Sequence, residues 1–275
     1  MAQLNVDAVT ALIMEASDTL ILPRFRKLRP EDIEDKSTSP DREDLVTTVD
    51  RDVEVWLTRA LTRLEPGATV IGEEAVHARP DLLDHVAADD PIWLVDPIDG
   101  TKNFARGRDG FGLMVARVVA GRAVSAWILL PARHEMFVAE AGAGAWLNGE
   151  RIAVPVAPPP DAPTGTLFVR YMPADLRAFA TAVATERFGI VADSACAAVE
   201  YTEVLRARQD FAVYYRLLPW DHAAPALILS EAGGCVEHQD GRSYSVRSAD
   251  QLTVVARSPA VSAHVRSHFT SAAGR

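Results

Sequence analysis

Two aspartates, Asp96 and Asp99, directly follow an apolar run at residues 92–95, and their type and spacing suit a chemical role. Two carboxylates this close repel each other unless a positive charge lies between them. A hard divalent cation with oxygen ligands is the simplest such partner at the end of a strand. Pro97 stiffens the turn, and Gly100 lets a ligand approach the backbone closely. The pattern favours a metal site, with a surface turn capped by Asp99 as the alternative.

Acidic residues stand at two further junctions between a predicted strand and a loop. Glu73-Glu74 follows a short strand, and Asp221 lies at the expected start of a helix. Each has an ordinary explanation, since paired glutamates are usually solvated and an aspartate before a helix is usually a cap. Gly100-Thr101 is expected to begin a short helix, whose free amides attract phosphate. Together the three junctions predict metal ligands beside an anion site, and hence phosphoryl chemistry.

The elements that must position these acids change character along the chain. Apolar residues at helical spacing predict amphipathic helices at residues 9–20 and 48–67. The charged stretch at residues 30–44 is expected to be a mobile loop. Alternation and turn signals predict strands at residues 69–72, 111–119, 123–130 and 134–140. The first half is therefore predicted to lay two helices on a largely antiparallel sheet.

A run of prolines between residues 155 and 163 is the best candidate for a domain junction, because it cannot continue a helix or a central strand. Beyond it, strands and helices alternate, which indicates an α/β layer. The strands are predicted at residues 166–170, 211–215 and 252–256, and the helices at 174–188, 197–208, 221–232 and 259–269. We expect an α+β half at residues 1–152 that carries most metal ligands, a junction at 153–164, and an α/β half at 165–275.

Composition limits the classes of function. The chain has 275 residues, enough for one large domain or two smaller ones. Its 28 basic and 38 acidic residues give a net charge of −10, which disfavours a nucleic-acid partner. Two cysteines are too few for a disulfide scaffold, and we find neither a signal peptide nor a membrane-spanning run. We expect a protein of the reducing cytoplasm.

Three motifs, in this order, resemble the inositol monophosphatase family, a superfamily of Mg²⁺-dependent, lithium-sensitive phosphatases. They are Gly72-Glu73-Glu74, Asp96-Pro97-Ile98-Asp99-Gly100-Thr101, and Trp220-Asp221 with Glu231-Ala232-Gly233-Gly234. The resemblance covers nearly the whole chain, and the middle motif is highly specific. It implies a layered α-β-α-β-α sandwich, two or three Mg²⁺ ions and a homodimer.

The resemblance also implies a role for each acid of the site. One Mg²⁺ is expected on Glu73, Asp96 and the backbone carbonyl of Ile98. A second is expected on Asp96, Asp99 and Asp221. A third, weaker ion would face Glu73 through water. The family hydrolyses phosphate esters by in-line attack of a metal-activated water, without a phosphoenzyme.

The resemblance further places the phosphate and the attacking water. Gly100 and Thr101 are expected to contact the phosphate, and Thr101 paired with Asp50 to orient the water. Thr101, Asp50 and Glu73 are therefore the predicted catalytic residues, with a helix cap as the alternative for Asp50. The predicted substrate-binding residues are Gly100, Thr101, Lys102, Ala197, Glu200, Arg216 and Asp221.

Substrate identity is where the chain departs from the inositol-specific branch. Arg216 lies near the position of a glutamate that binds ring hydroxyls there, and a cation would instead suit a second anionic group. Glu200 could supply the missing acid, or it could be an exposed helix residue. Lys102 resembles branches that act on histidinol phosphate or bisphosphates, although Lys102 and Arg106 could simply be solvated. Lys36 is expected to be a plain loop lysine, or else to approach the metal site.

The sequence thus predicts Mg²⁺-dependent hydrolysis of small phosphate monoesters. Inositol monophosphate is the default substrate and histidinol phosphate the leading alternative, followed by a nucleotide-type bisphosphate or fructose bisphosphate. The rival from another class is a transcription- or RNA-associated binding factor, which the acidic total disfavours.

Overall fold

The computed structural model describes residues 5–37 and 43–269. Within these ranges the helices are α1 (Val6–Ala16), α2 (Thr48–Leu64), α3 (Glu73–Ala78), α4 (Thr101–Ala105), α5 (Ala174–Arg187), α6 (Ala197–Leu205), α7 (Pro219–Glu231) and α8 (Pro259–Phe269). The strands are β1 (Ile33–Asp35), β2 (Leu45–Thr47), β3 (Thr69–Gly72), β4 (Ile92–Asp99), β5 (Gly112–Val119), β6 (Arg122–Leu130), β7 (Glu135–Glu140), β8 (Gly144–Leu147), β9 (Glu150–Ile152), β10 (Thr164–Leu167), β11 (Gly189–Ile190), β12 (Phe211–Tyr214), β13 (Cys235–His238) and β14 (Thr253–Ala256).

The larger sheet has seven strands in the order β3-β4-β5-β6-β7-β8-β9. Only β3 and β4 pair in parallel, so the predicted antiparallel character is confirmed. Alternate residues of β4 enter two different cores: Trp93 and Val95 pack with α1 and α2, and Ile92 and Leu94 face the opposite side. Burial on both faces explains why this strand is a continuous apolar run rather than an alternating one.

The smaller sheet has five strands in the order β11-β10-β12-β14-β13, with β10 and β12 parallel. Helices α6 and α7 lie between the two sheets, and α7 is buried around most of its circumference, as a helix enclosed on both sides requires. Helices α5 and α8 cover the outer face of the smaller sheet. The five layers confirm the predicted α-β-α-β-α sandwich.

Two local expectations differ from the structure. The stretch at residues 30–44, predicted to be a loop, contains β1, which pairs antiparallel with β2; residues 38–42 lie outside the described residues. Helix α3 and several short strands were not predicted, because each is shorter than the window in which periodicity becomes visible. These strands are β2, β8, β9, β11 and β13. The division at residues 153–164 stays a prediction, and the core between the sheets draws on both sides of it.

Candidate metal centre

A bulge at the end of β4 orients its two aspartates. Asp96 pairs with Met114 of β5, but Asp99 pairs with Gly112, so three steps along β4 correspond to two along β5. Residues three apart on a regular strand point to opposite faces, and the extra residue of a bulge removes that alternation. Pro97 lies within the bulge, where its missing N–H does not interrupt the ladder. Asp99 consequently lies close enough to Asp96 for its charge to raise the pKa of Asp96.

Three acids from three elements converge at this edge of the larger sheet. Glu73 begins α3 directly after β3, Asp96 lies on β4, and Asp221 lies in the first turn of α7. One carboxylate oxygen from each of the three lies within 4.8 Å of the others. β3 and β4 are parallel neighbours, which brings Glu73 and Asp96 to the same strand ends. The convergence predicted from the three junctions is therefore present.

The donor set of this cluster fits Mg²⁺. Asp96 is 1% exposed, and its Oδ1 has no hydrogen-bond partner among the residues that the structure describes. Burial and the charges of Glu73, Asp99 and Asp221 raise the pKa of Asp96 well above its usual range. A buried, unpartnered carboxylate oxygen among other carboxylates is costly unless a cation binds it. Hard divalent cations prefer oxygen ligands, so Glu73, Asp96 and Asp221 would hold Mg²⁺.

Asp99 links the cluster to α6. Its Oδ2 accepts hydrogen bonds from the Ala198 amide at 2.6 Å and from the Cys196 thiol, with Sγ at 3.1 Å. These donors lie at the N-terminus of α6, where the helix dipole favours a negative charge. Burial nevertheless raises the pKa of Asp99 above its ordinary value. Its predicted role as a ligand of a second ion, shared with Asp96 and Asp221, stays a prediction.

Asp50 connects the start of α2 to the phosphate motif. Its Oδ2 accepts from the amide and the hydroxyl of Thr47, at 2.9 and 2.5 Å. Its Oδ1 lies 3.1 Å from Oγ1 of Thr101, which is also 2.9 Å from the Ile98 carbonyl oxygen. Burial raises the pKa of Asp50 to about 7, against the opposing effect of the Thr47 hydroxyl. Asp50 therefore closes a capping box, which was the alternative interpretation, and it also makes the expected contact with Thr101. Its role in orienting the attacking water stays a prediction.

Lys36 lies at the metal cluster rather than in a plain loop. Its Nζ is 3.0 Å from Oε1 of Glu73 and 2.7 Å from Oε1 of Glu74, and its side chain is 6% exposed. The two carboxylates raise its pKa despite burial. The expectation of a plain loop lysine is wrong, because two adjacent, partly buried carboxylates attract a nearby ammonium group.

Glu54, on the buried face of α2, supports the turn that presents Glu73. Its carboxylate oxygens accept from the amides of Glu74 and Ala75 at 2.8 and 2.7 Å, which caps α3. A Cβ at Gly72 would lie 2.2 Å from Cδ of Glu54, so only glycine fits there. Burial raises the pKa of Glu54 to about 7. The sequence signal that could have found Glu54 is its position one helical turn after Asp50.

A pocket of about 340 Å³ opens over the cluster. Six of the seven predicted substrate-binding residues line it: Gly100, Thr101, Lys102, Ala197, Arg216 and Asp221. Gly100 has φ +80°, and a Cβ there would lie 2.8 Å from the Gly110 carbonyl oxygen, so the turn into α4 requires glycine. Lys102 Nζ lies 3.5 Å from Oε2 of Glu43, which also lines the pocket. Arg106 pairs with the same carboxylate but does not line the pocket.

Glu200 does not line this pocket, and the expectation of an exposed helix residue is also wrong. It is 3% exposed. Its Oε1 accepts from the Ser194 amide, and its Oε2 from the side chains of Thr166 and Gln209. These contacts occupy both oxygens in the interior. Glu200 holds the turn before α6 and the smaller sheet together, and it does not face a substrate hydroxyl.

Several lining residues were not predicted from the sequence. Arg170 and Tyr171 follow β10, and His222 follows Asp221 in α7. Cys196 also lines the pocket; it is buried, and its thiol contacts Asp99. Nothing local distinguishes these side chains from ordinary surface or core residues. Arg170 and Tyr171, for example, reach the pocket from the end of β10, which pairs with β12 far along the chain.

No described helix is long and apolar enough to cross a membrane.

A family model, the inositol monophosphatase family, matches residues 5–273. A fructose-1,6-bisphosphatase/inositol-1-monophosphatase of Thermotoga maritima is 31% identical over 207 residues, 74% of this chain and 75% of the relative. A Nus factor SuhB of Salmonella typhimurium is 32% identical over 226 residues, 79% of each chain. The solved structure of a Thermotoga maritima IMPase superposes with a TM-score of 0.79 at 25% identity, covering 96% of both chains. The chain belongs to the inositol monophosphatase family.

Proposed function

We propose that this protein hydrolyses small phosphate monoesters in a Mg²⁺-dependent reaction. The observation that carries the proposal is the acid cluster around the buried, unpartnered Oδ1 of Asp96, beside the Thr101–Asp50 pair. Bound Mg²⁺ would neutralise phosphate oxygens and lower the pKa of a water molecule. Glu73, Asp96 and Asp221 would hold it, and Asp99 and the Ile98 carbonyl are further proposed ligands.

Thr101 and Asp50 are proposed to orient the attacking water and accept its proton. The Thr101 hydroxyl lies between the Asp50 carboxylate and the Ile98 carbonyl, so its single proton is directed and its lone pairs are fixed. A pKa of about 7 lets Asp50 take up a proton near neutral pH. Gly100 and Thr101 line the pocket next to the cluster, where they would contact the phosphate.

Inositol 1-phosphate is the first substrate to test, since it follows from the family. Fructose 1,6-bisphosphate is the second substrate to test, because the name of the Thermotoga relative includes it. The experiment measures phosphate release by metal-stripped protein with and without added Mg²⁺, using these two compounds, histidinol phosphate and adenosine 3′,5′-bisphosphate. We expect Mg²⁺ to restore release from at least one. Release that is equally fast without metal would contradict the proposal, as would a lack of Mg²⁺ binding by calorimetry.

Homodimer formation and inhibition by lithium are two further proposals that follow from the family.

A binding role in transcription is the second candidate function, because a relative that covers 79% of this chain is named Nus factor SuhB. The net charge of −10 argues against broad contact with a phosphate backbone. The test is RNA binding at several salt concentrations. A steep loss of affinity with salt would support backbone contacts, whereas a lack of binding at low salt would exclude this role.

A further inference from the structure

The pairing of β10 with β12 places two arginines at the same edge of the smaller sheet. Leu167 pairs with Val213 in parallel register. Three residues further along each chain segment lie Arg170 and Arg216, and both line the pocket over the acid cluster. The ends of adjacent parallel strands meet at one sheet edge, so these two guanidinium groups share one wall of the pocket although 46 residues separate them, 216 minus 170.

Neither arginine forms an ion pair with a carboxylate among residues 5–37 and 43–269. Arg216 packs its Cζ 3.5 Å from the centre of the Tyr171 ring, and Arg170 lies 5.4 Å from that ring centre. Arg170 donates to the Glu43 backbone carbonyl at 2.9 Å. A stacked guanidinium keeps its N–H edge available to an anion, because stacking uses only its face.

The backbone that carries Arg216 is held in place on three consecutive residues. The Tyr215 carbonyl accepts from the Gln251 amide at 3.0 Å, and the Leu217 amide donates to Asp250 Oδ1 at 2.9 Å. The Arg216 carbonyl lies 3.2 Å from Nε2 of His222, which is buried. A loop fixed in this way loses little conformational entropy when its side chain binds a ligand.

Three other cations of the described residues at or near the pocket each contact a carboxylate. Lys102 and Arg106 both contact Glu43, and Lys36 contacts Glu73 and Glu74. The positive charge of Arg216 reaches Asp221, whose raised pKa it partly lowers. The two arginines are therefore close to the acid cluster, and neither forms an ion pair with a carboxylate of the described residues.

We propose that Arg170 and Arg216, braced by Tyr171, form a second phosphate subsite, so that the preferred substrate is a small bisphosphate. This rests on the proposed phosphatase function. One phosphate would lie at the acid cluster and the second on the guanidinium wall, where arginine's fork matches phosphate oxygens. A substrate with an ammonium group, such as histidinol phosphate, would be repelled by the same wall.

The test compares fructose 1,6-bisphosphate with fructose 1-phosphate, which differ only in the second phosphate. Arg216→Gln and Arg170→Gln are measured beside wild type with saturating Mg²⁺. Arg177→Gln is the control, since Arg177 is an exposed arginine on α5 outside this pocket. We expect wild type to prefer the bisphosphate in kcat/KM. Each pocket variant should lower the ratio of kcat/KM for the bisphosphate to kcat/KM for the monophosphate about tenfold or more, mainly through a higher KM for the bisphosphate.

Equal loss on both substrates, or no loss in either pocket variant, would overturn the subsite while leaving the phosphatase function intact. Turnover of neither substrate would count against fructose esters as substrates and would move the test to binding. Calorimetric binding of the same two compounds then decides: tighter binding of the bisphosphate that is lost in Arg216→Gln supports the subsite. Equal binding of both compounds overturns it.

Discussion

The ammonium nitrogen of Lys36 lies 3.0 Å from Oε1 of Glu73, so a cation of the chain itself is paired with a proposed metal ligand. Lys36 also contacts Glu74 at 2.7 Å. The pair neutralises part of the acid cluster in the metal-free protein. A metal ion that binds Glu73 must compete with this ammonium group for the same carboxylate, so the two cations are thermodynamically linked.

Replacing Lys36 with glutamine should therefore tighten Mg²⁺ binding and destabilise the metal-free protein. Loss of the competing charge leaves Glu73 and Glu74 without a counterion, which favours an external cation. We expect the Kd for Mg²⁺, measured by calorimetry, to fall about fivefold or more. Lys27→Gln makes the same charge change at an exposed lysine away from the cluster. An unchanged Kd in Lys36→Gln would show that the pair does not affect the metal site.

Asp99→Asn should remain folded yet lose nearly all Mg²⁺-dependent phosphate release. The asparagine carbonyl can still accept from the Ala198 amide, so the link to α6 survives. The lost charge removes a proposed metal ligand. Circular dichroism and phosphate release would be measured together. Asp193→Asn is the control, since it makes the same change at another acid that lines the pocket. Near-normal turnover of the folded variant would remove Asp99 from the metal site.

Thr101→Val should lower kcat by about a hundredfold or more, because a methyl group cannot direct the attacking water. The change also leaves Asp50 Oδ1 and the Ile98 carbonyl without their shared hydroxyl. Thr101→Ser keeps the hydroxyl and should retain most activity. Steady-state kinetics of both variants would check this. Equal activity in the valine and serine variants would mean that the hydroxyl takes no part in the reaction.

Glu54→Ala should lower the free energy of unfolding by roughly 2 kcal/mol, because the amides of Glu74 and Ala75 lose their buried acceptor. It should also weaken Mg²⁺ binding, since those amides set the turn that presents Glu73. Urea unfolding and calorimetry would measure the two effects, with exposed Glu150→Ala as control. A destabilised variant with normal Mg²⁺ affinity would restrict Glu54 to a structural role.

The metal-free protein should lose stability as pH rises from about 4 to about 7. Asp50 and Glu54 have pKa values of about 7 in the folded chain, above the ordinary values near 3.8 and 4.5. The folded state therefore binds more protons than the unfolded state in this window. The contribution of these two groups to the free energy of unfolding is complete at low pH and is lost as they ionise in the folded chain. Thermal unfolding between about pH 5 and about pH 8 would measure it, with saturating Mg²⁺ as the comparison. A melting temperature that rises with pH without metal would contradict this sign.

Much of the site could be predicted because its signals are local. Asp96, Pro97, Asp99 and Gly100 lie within five consecutive positions, and their chemistry follows from residue type and spacing. Glycine is required at position 100 by a positive φ. The layered fold was implied by the family resemblance, and the apolar patterns of the helices and strands agreed with it. These features depend on contacts within one element or between neighbours in sequence.

The side chains around the site could not be assigned in the same way. Glu200 lies on a helix whose sequence does not show which face is buried, and its partner Thr166 is 34 residues away. Lys36 reaches Glu73 across 37 residues. Arg170 lies beside Arg216 only because β10 pairs with β12. In each case a long-range contact decides whether a charged side chain is buried, paired or open to a ligand.

The sequence by itself therefore determined the ligand types, their order along the chain and the turn that presents them. Residue identity gives the first two, and local backbone geometry gives the turn. The tertiary structure alone decided which acids meet, which cations are neutralised and which arginines remain available. The physical reason is that charge–charge interactions and burial depend on distances in space, and strand register, not sequence spacing, sets those distances.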